Sequence, residues 1–182
     1  RMGMKVAGFR VATNQNDILN RFFNTGEYSV GAAIQSLAPS MDIQVASNFE
    51  RFLYYAHGGD GDRVRKVMED FKSTGIFKVD DQSIIKSMSS SRMADEEIQD
   101  KIEAVYQKYG YVCDPHTACA FKELDEFEHC VILATAHPAK FPETVLEATG
   151  QEPIHPSLEA LKSREIVKYP LHADADTIKA FV

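Results

Sequence analysis

His129-Cys-Val-Ile-Leu-Ala-Thr135 decides the fold reading. It is a short, nearly uninterrupted apolar run rich in β-branched residues. Its length suits a strand better than a helix. A second stretch, Lys5-Val-Ala-Gly-Phe-Arg-Val-Ala-Thr13, mixes β-branched and small residues with little polar alternation. That pattern fits a strand buried on both faces, as in a parallel sheet. Helical periodicity fills the space between. Asn16 or Asp17 can cap a short helix carrying Ile18, Leu19, Phe22 and Phe23, with Gly26 near its end. Residues 28–46 read as irregular. Ser47-Asn-Phe-Glu50 has the form of a capping box, which predicts a helix over 48–57 stopped by Gly58-Gly59. Asp62 is the expected cap of the next helix, over 62–73, with Val64, Val67, Met68 and Phe71 on one face. Asp95-Glu-Glu97 opens a helix over 95–109 with Ile98, Ile102, Val105 and Tyr109 inward and Gly110 after it.

Further signals complete the outline. Ser89-Ser-Ser91 reads as an exposed loop, and Tyr111–Cys113 as a short strand or turn. Asp114-Pro115 is an N-cap followed by a first-turn proline, predicting a helix over 115–126 with Ala118, Phe121 and Leu124 inward. Pro142 starts a helix that Gly150 ends. The tail from Gln151 is expected to hold a short strand near Ile166–Tyr169 and a last short helix. Strand, helices, strand, helix is an α/β order: a parallel sheet with flanking helices. The helix-rich middle, about 47–109, looks like an insertion between strands.

The chain has 182 residues, enough for about one domain. With 44% hydrophobic, 26% charged and 10% aromatic residues it has the composition of a folded protein, not a disordered one. No run of eighteen apolar residues occurs, so no membrane span is expected. The net charge of −7, without a basic cluster, argues against a nucleic-acid surface. Cys113, Cys119 and Cys130 have neither the number nor the spacing of a disulfide framework or a thiolate zinc site, and a cytoplasmic setting is the default. The opening Arg1-Met2-Gly3 resembles a helix end with a glycine stop, so the chain is expected to be a piece of a longer one. A vector-derived remnant is the alternative.

Local chemistry is sparse. The histidines show no HxxxH or HExxH spacing, and no metal site is expected. Asp60-Gly61-Asp62 lacks the later ligands of a calcium loop and reads as a helix cap. No P-loop, G-x-S-x-G or G-x-G-x-x-G is present. Two stretches stand out. Asp114-Pro-His-Thr-Ala118 sets a carboxylate, an imidazole and a hydroxyl at a helix N-terminus, where free N–H groups favour anions. Leu133-Ala-Thr-Ala-His-Pro-Ala-Lys-Phe141 places Thr135, His137 and Lys140 just past the carboxyl end of a strand, where α/β folds bind ligands. Ordinary capping and turn chemistry is the competing reading of both.

Five ordered blocks carry a family resemblance. They are Val11-Ala-Thr-Asn-Gln-Asn-Asp-Ile-Leu19, Arg21-Phe-Phe-Asn-Thr-Gly-Glu-Tyr28, Pro39-Ser-Met-Asp-Ile-Gln-Val-Ala-Ser-Asn-Phe-Glu-Arg51, Asp114-Pro-His-Thr-Ala118 and Ala134-Thr-Ala-His-Pro-Ala-Lys-Phe141. Together they resemble the carboxyl-terminal part of threonine synthase, of the longer bacterial and fungal type. The resemblance is weakest at 76–94 and in the tail.

It implies the tryptophan-synthase-like fold (fold type II) and a pyridoxal 5'-phosphate enzyme that turns O-phosphohomoserine and water into threonine and phosphate. The family's Schiff-base lysine lies in a Ser-Asn-x-Lys-Asp motif, and a loop of Asn-Phe-Gly type cradles the cofactor phosphate. Neither occurs here. The catalytic lysine is therefore expected from a missing amino-terminal part, and this chain by itself should not form threonine. The resemblance carries a hydroxyl that bonds the pyridine nitrogen over to Thr135. It marks Asp114, His116 and Thr117 as pocket positions, Ser47 and Asn48 as part of a cofactor-side loop, and Lys140 as either a phosphate ligand or a surface lysine. The alternative is a non-catalytic, threonine-synthase-like binding module.

Overall fold

A computed structural model describes residues 3–124 and 129–182. The reading of Arg1–Gly3 as a helix stop, and the stretch of the predicted 115–126 helix that falls in 125–128, lie in whole or part outside the described residues.

The chain runs β1 (Arg10–Thr13), α1 (Ile18–Thr25), β2 (Glu27–Ser29), α2 (Phe49–Ala56), α3 (Gly61–Thr74), β3 (Ile76–Lys78), α4 (Gln82–Ile85), β4 (Ser89–Arg92), α5 (Asp95–Tyr109), α6 (Pro115–Cys119), α7 (Pro142–Thr149), α8 (Pro156–Lys162) and α9 (Ala175–Phe181). Two 3-10 turns, Pro39–Met41 and Pro138–Lys140, interrupt the loops. β1 pairs in parallel with β4, Arg10 facing Ser89 and Thr13 facing Arg92. β2 pairs antiparallel with β3.

β1 stands between two apolar clusters. Val11 packs against one, built on Phe22, Tyr28, Phe49, Leu53 and Phe71. Ala12, its neighbour, points the other way and packs against the second, built on Met93, Ile98, Ile102, Cys119 and Ala148. Successive side chains on a strand face opposite sides, so two clusters on one strand follow from its period of two. The two-sided reading of this strand holds for Arg10–Thr13. Residues 5–9 of the expected strand lie outside it, although the Phe9 carbonyl still accepts from Ser89 N at 3.0 Å. The aromatic cluster is close-knit: Tyr28 and Phe49 stack at 4.3 Å between centroids, and the Phe22 and Phe49 rings meet edge-on at 4.8 Å.

Several expectations need correction. Ser89–Ser91 is not a loop but most of β4. Its serines are small and their hydroxyls find partners: Ser90 donates to Asn20 Oδ1 at 3.0 Å, and Ser89 Oγ accepts from Arg10 at 3.2 Å. Polar residues can thus line a strand that a helix covers closely. Conversely, His129–Thr135 is not a strand among the described residues. Val131 is 88% exposed and Leu133 76%. An apolar run becomes a strand only beside another strand that takes its N–H and C=O groups. Among the described residues none lies beside it.

Asn48, not Ser47, is the N-cap of α2, and it makes no side-chain cap bond, so the capping box does not form. α3 begins earlier than expected, because Asp60 rather than Asp62 caps it, accepting from Arg63 N at 2.9 Å. α5 has the predicted bounds with Ile98, Ile102 and Val105 buried, but Tyr109 stays exposed. α6 stops at Cys119 instead of running on. The carbonyls of Lys122 and Glu123 accept from the Arg10 guanidinium at 3.1 and 2.6 Å, and Glu123 turns to φ 56°. In the tail, Ile166–Tyr169 is not a strand and is exposed, α8 was not foreseen, and α9 is the expected last helix.

Candidate functional site

Ligands of parallel sheets collect at the carboxyl ends of the strands. β1 ends at Thr13, and the next three residues are Asn14, Gln15 and Asn16. Asn14 is fully buried. Its amide donates to Ser36 Oγ and Asp42 Oδ1, both at 2.7 Å, while its Oδ1 accepts from Asn16 N at 2.9 Å. The Asn16 side chain grips the loop backbone from both sides, donating to Ile34 O at 2.7 Å and accepting from Ile34 N at 2.7 Å. Gln44 does the same further along, with Gly31 N at 3.1 Å and Ala32 O at 3.1 Å. The irregular 30–44 segment is thus held by side-chain amides in place of a neighbouring strand. Asn16 is committed to that loop, and Asp17 is the N-cap of α1, with no side-chain cap bond.

The second half of the network starts at Asp114, 1% exposed. As N-cap of α6 it accepts from the backbone N–H of His116 at 2.9 Å and of Thr117 at 3.3 Å. The N–H groups expected to attract an anion are therefore already satisfied. Its Oδ2 lies 2.7 Å from His116 Nδ1, and its Oδ1 accepts from the Thr117 hydroxyl. His116 Nε2 accepts from Ser40 N at 3.1 Å. A backbone N–H can only donate, so Nε2 is the acceptor and the ring proton sits on Nδ1, donating to Asp114. Burial pushes the Asp114 carboxyl upward, but the bonds from His116 and Thr117 outweigh it and hold it below the ordinary carboxylate range. Phe141 closes over the imidazole at 4.7 Å.

Thr135 joins this network through its backbone. Its N–H donates to Thr117 Oγ1 at 3.2 Å. Its own hydroxyl makes no hydrogen bond among the described residues, and the residue is exposed. So Asp114, His116, Thr117 and Thr135 come together, and Ser40 ties them to the loop anchored on Asn14. Lys140 is exposed at the end of the Pro138–Lys140 turn, with its backbone N bonded to His137 O. Ser47 and Asn48 are exposed at the start of α2, beside the aromatic cluster instead. Among the described residues no cluster of His, Cys, Asp and Glu could hold a metal ion.

Sequence reasoning gave no site role to Asn14, Ser36 and Asp42 and took Asn16 only as a possible helix cap, which is Asp17 instead. The signal was three amide side chains directly after an apolar strand, where polar groups need partners or a ligand.

Comparison with known proteins finds one family throughout. Residues 116–182 match the family model described as "Threonine synthase, C-terminal". The whole chain is 40% identical over 191 aligned residues to the threonine synthase of Pseudomonas aeruginosa. Over its whole length this chain is similar to the threonine synthases. It spans 41% of the Pseudomonas protein's length. Its fold matches the crystal structure of PLP-bound threonine synthase from Brucella melitensis with a TM-score of 0.78 and 40% identity, covering 88% of this chain and 36% of that one. The yeast threonine synthase matches with the same TM-score and 33% identity, covering 90% of this chain and 39% of that one. The fold is the threonine synthase α/β fold of type II. Among the described residues no helix is long and apolar enough to cross a membrane.

Proposed function

We propose that this chain supplies the carboxyl-terminal part of a pyridoxal-phosphate-dependent threonine synthase, which converts O-phosphohomoserine and water to threonine and phosphate. The observation that carries this is the 40% identity across the entire chain, together with the same fold as a threonine synthase named as PLP-bound. The remainder of the enzyme would bring the Schiff-base lysine and the cofactor-phosphate loop, whose motifs this sequence lacks. It would also bring strands to lie beside the bare 130–134 run. Within the segment 47–109, the helices α2 and α3 would then be inserted, while β4 belongs to the sheet beside β1.

The donor chemistry present fits the cofactor at one point. Thr135 offers an unengaged, neutral hydroxyl on a backbone fixed by Thr117. Such a hydroxyl donates to an unprotonated pyridine nitrogen, which an Asp would instead protonate. When bound, pyridoxal phosphate supplies the electron sink for carbanion chemistry. Thr135 would hold the ring nitrogen, and Asp114, His116 and Thr117, which are bonded to one another and to the Thr135 backbone, would support it. Ser47, Asn48 and Lys140 are exposed; Ser47 and Asn48 would belong to a cofactor-side loop, and Lys140 would be either a phosphate ligand or a surface lysine.

The test is Thr135→Val in the full-length enzyme. The change keeps the shape and removes the hydroxyl. Losing a hydrogen bond to a desolvated acceptor costs about 1–3 kcal/mol. Cofactor affinity or turnover should fall by roughly tenfold to a hundredfold. Unchanged affinity, turnover and cofactor absorption would remove Thr135 from the site.

A further inference from the structure

We propose that Asp114 and Thr117 are positioning residues for Thr135: the carboxylate orients the Thr117 hydroxyl, and that hydroxyl holds the Thr135 backbone in place. This rests on the reading that Thr135 contacts the cofactor.

The geometry leaves one arrangement of the protons. A carboxylate accepts only, so the single Thr117 hydroxyl proton points at Asp114 Oδ1. The lone pairs of Thr117 Oγ1 are then turned to the Thr135 N–H, 3.2 Å away. Both Asp114 and Thr117 are buried, at 1% and 2% exposure, so water does not compete for these bonds. Between Cys130 and Ala136 this is the one hydrogen bond among the described residues. Where Thr135 stands therefore depends on a hydroxyl eighteen residues away that never reaches the ligand itself. The other oxygen of the same carboxylate orients His116 Nδ1 at 2.7 Å, and His116 Nε2 takes Ser40 N–H at 3.1 Å. One buried carboxylate thereby fixes two segments, 39–41 and the residues around 135. Asp114 and Thr117 have no polar atom left for a ligand: the carboxylate carries four contacts and the hydroxyl two.

The experiment uses the full-length protein and follows deuterium uptake by mass spectrometry on peptides spanning Thr135 and Ser40. In the unaltered protein the Thr135 amide is protected. Rapid exchange there overturns the proposal with no variant needed. Thr117→Val keeps the shape and removes the hydroxyl. Thr135 exchange should rise by about tenfold, the scale of one lost hydrogen bond. The Ser40 amide should stay protected, and Thr117→Ser should restore Thr135. Cofactor affinity should fall with Thr117→Val and recover with Thr117→Ser. A Thr117→Val protein with unchanged Thr135 exchange refutes the positioning. Faster exchange with an unchanged cofactor spectrum in Thr135→Val refutes the cofactor contact instead, and with it the functional meaning of the bond.

Discussion

Replacing Asn14 by Asp exchanges one nitrogen for one oxygen, yet it should reverse how stability depends on pH. The Asn14 amide points at three acceptors: Ser36 Oγ at 2.7 Å, Asp42 Oδ1 at 2.7 Å and Ala38 O at 3.3 Å. The Ser36 proton is no help, because Ser36 already donates to Asp42 Oδ1 at 2.6 Å. In an ionised Asp at position 14 one oxygen would keep the Asn16 N–H, but the other would face acceptors alone, with a second carboxylate in contact. Two like charges about 4 Å apart repel by about 4 kcal/mol at an effective dielectric of 20. The pair has an escape, which is to keep one proton. Holding a carboxyl protonated at pH 7 against an unfolded pKa of about 3.9 costs about 1.36 kcal/mol per unit, or about 4 kcal/mol. The same sum gives about 1.5 kcal/mol at pH 5. The protonated acid can donate to Asp42 much as the amide did. The folded pKa is raised, so the variant is most stable below the unfolded pKa and loses stability as pH rises toward the folded one. Urea unfolding followed by circular dichroism should show Asn14→Asp about 3–4 kcal/mol below the parent at pH 7, a large share of a typical 5–15 kcal/mol. The gap should close to about 1–2 kcal/mol at pH 5. Asn14→Ala should lose about 1–3 kcal/mol with no such pH dependence. An Asn14→Asp protein as stable as the parent at pH 7, or one whose deficit is the same at both pH values, would show that the network is not closed to water.

Two further expectations follow from the second half of the network. Burial, with the charge of Asp114 nearby, pushes the thiols of Cys113 and Cys119 up to about 12, while Cys130 is exposed. A thiol reagent at pH 8 should therefore modify one cysteine at once and the other two only at the rate of unfolding; two fast thiols would contradict the packing around α6. The Asp114 carboxyl is held below its ordinary value of 3.8, so its contribution is present above the unfolded pKa and is lost as pH falls through the folded one. Unfolding free energy measured from pH 5 downward should drop less steeply in Asp114→Asn than in the parent, and equal slopes would show that its bonds add nothing to the charged form.

How much of this was legible depends on whether a residue's partners lie near it in sequence. α5 was read with its true bounds, because its acidic first turn, its 98, 102, 105 spacing and Gly110 are all local signals. The same holds for the end of α3 at Gly75, which sits at φ 73° and closes the helix with a left-handed residue. β4 was missed because three serines carry no strand signal of their own. They form a strand because β1, 79 residues away, presents its edge. The opposite error at 130–135 has the same root. The apolar run records a burial that a neighbour must provide, and among the described residues no neighbour does. Strand formation is a property of a pair, and one sequence window holds half of it.

The site divides along the same line. Asp114, His116 and Thr117 were legible as a group, since a cap, an imidazole and a hydroxyl within four positions must meet at one helix start. Their chemical role was not legible. An N-terminal turn with free N–H groups attracts anions, but here Asp114 has already filled it, and that is visible only with coordinates. The loop-holding role of Asn14 and Asn16 escaped notice for another reason. Amide side chains serve caps, turns and ligands alike, and the loop they hold lies 18 to 28 residues onward, with no periodicity to announce it. What separates these uses is saturation. Among the described residues no buried side-chain N or O lacks a partner, so the buried polar groups around β1 are spent on shaping the loops. The Thr135 hydroxyl, held by its backbone and left unbonded at its tip, is free for other work. A group that is fixed in position and still has a proton to donate is what a binding site requires, and in this network Thr135 meets both conditions.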